Sequence, residues 1–197
     1  MNNNISISEQ WDNFIAGDDK AYSNLYEEQV QSLYQYGLCF TLDGDLIKDC
    51  IQDLFVYLYS NRNHLHKLRN VNVYLLTSLK HNLLRKINVI NGYSLDDNEV
   101  NFLSELSVEE EYIEQEANNN EKRKVKKILS LLTSRQKEVM YYRFVQELSM
   151  KEICELMDMN YQSVQNLIQR ALKKIRSEYG DGFLLYCIVN PTIILYL

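Results

Sequence analysis

Nine side chains in one stretch near the C-terminal end have types that could read a nucleic acid. They are Gln162, Ser163, Gln165, Asn166, Gln169, Arg170, Lys173, Lys174 and Arg176, with Tyr161 just before them. Amides and a hydroxyl come first, and their donors and acceptors match the edges that bases expose in a major groove. Cations come last, where they can neutralise phosphates and also oppose the negative end of a helix dipole. The chemistry on offer is recognition rather than bond making. Between these residues stand Val164, Leu167, Ile168, Ala171, Leu172 and Ile175, at steps of three and one. Such spacing makes one apolar stripe on a helix and sends the polar set to the opposite side. An ordinary surface helix with a cationic end has the same pattern, so the preceding residues must distinguish the two.

Two capping boxes precede that helix. Thr133 with Gln136, and Ser149 with Glu152, each pair a hydroxyl with a side-chain amide or carboxylate three residues on, which satisfies orphan N–H groups at both ends of the exchange. The first box opens a helix through Glu138, Val139, Met140, Tyr142 and Phe144. The second opens one that buries Ile153, Cys154, Leu156 and Met157 and stops near Asp158. Asn160 can then cap the polar-faced helix. Two capped helices separated by Asp158 and Met159, the second so patterned, predict a helix-turn-helix whose last helix enters a major groove.

Further candidate residues lie in the first half. Asp49, Gln52 and Asp53 fall at i, i+3 and i+4, opposite the apolar face of Ile47, Ile51, Leu54, Phe55 and Leu58. Such a patch is either solvated surface or a docking point for a basic helix. A polar stretch over residues 60–72 holds Asn61, Arg62, Asn63, His64, His66, Lys67 and Arg69. It leads into a helix with Val73, Leu76, Leu79 or Lys80, Leu83 and Leu84 at apolar spacing. That helix also carries Tyr74, Lys80, His81, Asn82, Arg85 and Lys86. Rings and cations so mixed suit single-stranded nucleic acid, whose bases stack while its backbone follows positive charge. An earlier helix opens at Gly17, Asp18 and Asp19 and continues through Ala21, Tyr22, Leu25, Tyr26, Val30, Leu33 and Tyr34.

The elements that must carry these groups are helices. Six glycines and one proline in 197 residues leave few breakers, which predicts an all-α chain. The net charge of −6 is strongly segregated. Residues 92–121 carry ten acidic side chains and no basic one, and residues 122–178 carry thirteen basic and six acidic, a net +7. A uniformly acidic protein would repel nucleic acid, whereas a basic module on an acidic chain binds phosphate. The expected organisation is two small helical domains, 8–91 and 122–179, joined by a self-repelling acidic linker, 92–121. An apolar tail, 180–197, belongs to neither.

Metal and redox chemistry find little support. Cys39, Cys50, Cys154 and Cys187 form no CxxC pair, and His64, His66 and His81 join them in no cluster of ligand spacing. No Gly-rich phosphate loop or nucleophile–base pair is visible. The expectation is a cofactor-free, non-enzymatic protein without a small-molecule substrate. The N-terminus lacks the pattern of a secretory signal. The apolar run 183–197 contains Asn190 and Pro191 and falls short of the roughly 20 residues a membrane span needs. The expected location is the cytoplasm.

Taken in order over residues 11–176, these segments resemble the extracytoplasmic-function group of bacterial sigma factors. The resemblance rests on Gly17, Asp18, Ala21 and Tyr22, on Asp49-x-x-Gln52-x-x-Phe55, on Tyr74 and Leu75 through Asn82, and on the helix-turn-helix. It implies a transcription-initiation factor with core RNA polymerase and promoter DNA as partners, and an anti-sigma factor, commonly membrane-anchored. Asp49, Gln52 and Asp53 would dock on the largest polymerase subunits. Asn61, Arg62, Lys67, Arg69, Tyr74, Lys80, His81, Asn82 and Arg85 would serve the melted −10 element. Tyr161, Gln162, Ser163, Gln165, Asn166, Gln169, Arg170, Lys173 and Arg176 would serve the −35 duplex. Lys80 and His81 depart from the family pattern, where arginine is common, and the apolar tail has no counterpart in it. The competing reading is a helix-turn-helix regulator whose N-terminal part senses a signal or dimerises. Such a protein would bind duplex DNA alone and have no need of Asp49 or Gln52.

Overall fold

The computed structural model describes residues 6–91, 102, 127 and 130–189, with side chains in the last helix as far as Glu178. The chain divides into two compact units, Met1–Ser94 and Leu95–Leu197. The described residues form α-helices and one 3-10 turn, and no strand is present among them. The expected all-α class is what the structure has.

The first unit holds α1 (Ile7–Ile15), α2 (Asp19–Gly37), α3 (Gly44–Ser60), a 3-10 turn (Arg62–His64) and α4 (Val71–Asn91). Each start is local chemistry. Ser6, Asp18 and Asp43 adopt extended backbone and accept hydrogen bonds from N–H groups of the first turns of α1, α2 and α3. Asn70 does the same for Val73 at the start of α4, at 3.0 Å. Gly17, at φ +113°, makes the reversal between α1 and α2 in a region where a side chain would be strained. The core is aromatic at one end. Trp11 meets Phe14 and Tyr74 edge-on, with ring centroids 5.8 and 5.6 Å apart. Tyr22 joins Phe14 to Phe55 and donates its hydroxyl to the Phe55 carbonyl at 3.0 Å. Leu25, Leu33, Ile47, Leu58, Leu75, Leu76, Leu79 and Leu83 complete the interior. Cys39 and Cys50 are buried free thiols, and burial pushes the Cys50 thiol up, which keeps it protonated and inert.

The second unit holds α5 (Ser134–Phe144), α6 (Met150–Met157) and α7 (Tyr161–Val189). Both capping boxes are formed as the spacing predicts. Asp158, at φ +50°, ends α6 in a left-handed cap, and Asn160 accepts from the Ser163 N–H at 2.9 Å to start α7. Val139, Tyr142, Leu148, Ile153, Met157, Val164, Ala171 and Ile175 form the core. Phe102, from within the acidic span 92–121, is fully buried in this unit against Tyr141 and Tyr142, at centroid distances of 5.6 and 6.2 Å. A purely solvated tether would have no such anchor. The last helix also runs past the expected module end to Val189. Residues 190–197, and the side chains beyond Glu178, lie outside the described residues, as do the remaining residues of 92–121 apart from Phe102.

Candidate nucleic-acid interfaces

In the second unit, α7 buries Val164, Ala171 and Ile175 and half-buries Leu167, Ile168 and Leu172. Burying that stripe turns the opposite side outward. Tyr161, Gln162, Gln169, Arg170, Lys173 and Arg176 are exposed, and Ser163, Gln165 and Asn166 are half-exposed. All nine predicted duplex-reading residues therefore reach solvent from one helix. Gln162 donates from Nε2 to Asn166 Oδ1 at 3.1 Å, which holds both amides one turn apart. Pairing of this kind lowers the entropy left to lose on ordering the two side chains. Lys174 does something different. Its Nζ donates to the Leu131 carbonyl at 3.0 Å and to Gln136 Oε1 at 3.2 Å. Gln136 Oε1 also accepts from the Thr133 N–H. Lys174 thus ties α7 to the capping box of α5. Arg143 spans the α5–α6 turn in the same spirit, donating to the Leu148 carbonyl at 2.9 Å. Beneath it, Tyr142 donates to the buried Glu138 carboxylate at 3.0 Å.

In the first unit, Asp49, Gln52 and Asp53 are exposed on the outer face of α3. Asp53 pairs with Lys86 of α4 at 2.8 Å, and the carboxylate raises the Lys86 ammonium above the ordinary lysine value. Asp49 and Gln52 remain the outward members of the patch. Between α3 and α4 opens a groove of about 660 Å³, lined among others by Tyr57, Asn61, Tyr74, His81, Asn82 and Arg85. Five of the nine residues predicted for single-stranded nucleic acid therefore share one wall system. Tyr74 is half-buried against Trp11, so one part of its ring is committed to the core. Arg85 donates to Asn82 Oδ1 at 3.0 Å.

The remaining four behave differently. Arg62 pairs with Asp19 at 2.9 Å and lies over the Tyr59 ring, 5.6 Å from its centroid. Lys67 pairs with Asp12. Arg69 is exposed. Lys80 stands apart: it is 6% exposed, on the inner face of α4. The helical period puts position 80 on the same side as Leu76 and Leu83. Two groove residues escaped sequence reasoning, Val56 and Tyr57, which are 56% and 55% exposed. Their signal was available: both stand off the apolar stripe of α3, where a large apolar side chain gains nothing from the core.

Among the described residues, no group of three or more His, Cys, Asp or Glu could hold a metal ion. No described helix is long and apolar enough to cross a membrane.

Residues 122–175 match the family described as Sigma-70, region 4. No curated protein sequence matches the chain. Solved structures do. One is CnrH in complex with the cytosolic domain of CnrY, at TM-score 0.58 and 16% identity, covering 86% of this chain and 94% of that one. Another is the sigma factor RpoE in complex with the anti-sigma factor NepR from Bartonella quintana. It matches at TM-score 0.51 and 13% identity, covering 80% of this chain and 96% of the other. Residues 122–175 of this chain thus resemble sigma-70 region 4, and the chain shares its helical fold with these two solved structures.

Proposed function

We propose that this chain is a sigma factor that binds core RNA polymerase and directs promoter-specific initiation. In this reading α7 reads the −35 element as duplex, and the α3–α4 unit docks on polymerase and opens the −10 element. One observation carries it: α7 presents an unbroken polar face, amides first and cations after, on a module that matches region 4. Base-edge donors leading and phosphate-binding cations trailing is the order a recognition helix needs.

The domain roles follow from chemistry. The 8–91 module supplies an exposed Asp49/Gln52 patch for polymerase and a groove with Asn61, Tyr74, His81, Asn82 and Arg85 for an unstacked base. Extracting a base costs a few kcal/mol, which such a pocket must offset. The acidic span 92–121 joins it to the 122–179 module, and a chain of ten like charges suits a path otherwise taken by nucleic acid. An anti-sigma partner fits this reading, since RpoE was solved with the anti-sigma factor NepR and CnrH with a domain of CnrY. The protein acts without a cofactor, in the cytoplasm where polymerase and DNA are, and catalyses no reaction of its own.

The test is run-off transcription. Purified chain plus core polymerase is expected to start transcripts at discrete sites on genomic DNA fragments, with none from core alone. Absence of transcripts, together with tight duplex binding by the chain alone, would replace this reading with the helix-turn-helix regulator.

A further inference from the structure

The loop over residues 61–70 joins α3 to α4 and borders the groove, and it has no apolar core of its own. Leu65 and Leu68 are half-exposed, and His64, His66, Lys67 and Arg69 are exposed. Its shape is nonetheless tied down at three points, all from α1 and the first turn of α2. Trp11, 1% exposed, donates from Nε1 to the His66 carbonyl at 3.0 Å, near the middle of the loop. Asp12 pairs with Lys67, the next residue. Asp19 pairs with Arg62 at 2.9 Å, near the loop's start. The ties bridge 43 to 55 residues of sequence, so none is a local turn. Arg62 is further held over Tyr59 of α3.

We propose that Trp11, Asp12 and Asp19 are positioning residues for promoter opening: they splint the 61–70 loop in the shape that admits a flipped base. This deepens the functional reading above and rests on it. The physical need is plain. A ten-residue loop without buried side chains samples many backbone states, and ordering each residue costs conformational entropy. A loop that must capture a base therefore gains from being ordered beforehand. The Trp11 bond carries most of the effect, since it is partly buried and its loss strands a carbonyl. The two ion pairs are solvent-exposed, and exposed pairs contribute little to overall stability. Their contribution lies in where they hold the loop. The same geometry admits a rival role, with the carboxylates competing against phosphates for Arg62 and Lys67. The two roles predict opposite outcomes.

The experiment uses holoenzyme reconstituted from the full-length chain and core polymerase. The probe is fork-junction DNA whose single-stranded non-template segment is randomised, with bound molecules sequenced. Wild type is expected to enrich a defined −10 motif. The Trp11→Phe/Asp12→Asn/Asp19→Asn variant is expected to bind core within about twofold of wild type, yet to lose enrichment about tenfold. Asp12→Glu/Asp19→Glu, which keeps both charges and the indole donor, is expected to retain enrichment. Hydrogen exchange should quicken at residues 61–70 and stay unchanged in the α4 core, which separates loop release from unfolding. A triple variant that enriches the same motif equally well, or binds more tightly with enrichment unchanged, overturns the proposal. A wild-type holoenzyme that enriches no motif overturns the sigma reading instead.

Discussion

Arg170 and Lys173 sit one turn apart on the exposed side of α7 and should fail in different ways. Arg170→Ala is expected to weaken −35 binding by about 1–3 kcal/mol if its fork meets a guanine edge. Competition binding on promoter variants checks this, and loss of preference at one base pair is the signature. Lys173→Ala should weaken all duplexes alike and reduce the slope of log affinity against log salt by about one. Lys174 offers the contrast. Its ammonium is engaged with Leu131 and Gln136, so Lys174→Ala should lower the thermal midpoint of the second unit and leave the salt slope unchanged. A fall in slope would place it on phosphate. Adjacent lysines on one helix end thus have separate duties. Spacing alone could not divide them, because the partner of Lys174 lies 38 to 43 residues away.

The elements were far more legible than the long-range ties. Caps at Asp18, Thr133, Ser149 and Asn160 depend on atoms within four residues, and all formed as their types require. The apolar stripe of α3 buried Ile47, Ile51, Leu54, Phe55 and Leu58. On α4 the same rule left one position open. Sequence periodicity allowed Leu79 or Lys80 to face inward, and the structure turns both inward. How two helices cross is less legible still. Gly37 ends α2 where α3 passes so close that an added Cβ would stand 2.5 Å from Ile47 Cγ2. Ile47 is β-branched and fully buried, so it has little freedom to yield. Gly37→Ala is therefore expected to destabilise the first unit by about 1–3 kcal/mol. Denaturant melting would show it, and in an Ile47→Ala background, which lacks Cγ1 and Cγ2, part of the Gly37→Ala loss should be recovered. No recovery would mean that the backbone, not the Ile47 side chain, sets the distance.

At the scale of the molecule, the proposed function divides between the two units. In the proposed reading the basic stretch 122–178 of the second unit offers one helix face to duplex, and the first unit offers an acidic patch beside a groove. Asp49→Arg is expected to reduce recovery of core polymerase in a pull-down by tenfold or more, through like-charge repulsion with a basic partner surface. Duplex binding by the second unit should be unaffected. Normal recovery would move the docking surface elsewhere. The sequence by itself determined the helices, their caps, the apolar faces and the segregation of charge, since each depends on neighbours along the chain or on simple counting. Tertiary structure alone decided that Phe102 leaves the acidic span to pack on Tyr141 and Tyr142, and that Trp11, Asp12 and Asp19 reach across to the 61–70 loop. Those outcomes depend on which surfaces meet once helices pack. No local rule encodes such a meeting, because it follows from the summed fit of side chains distant in sequence.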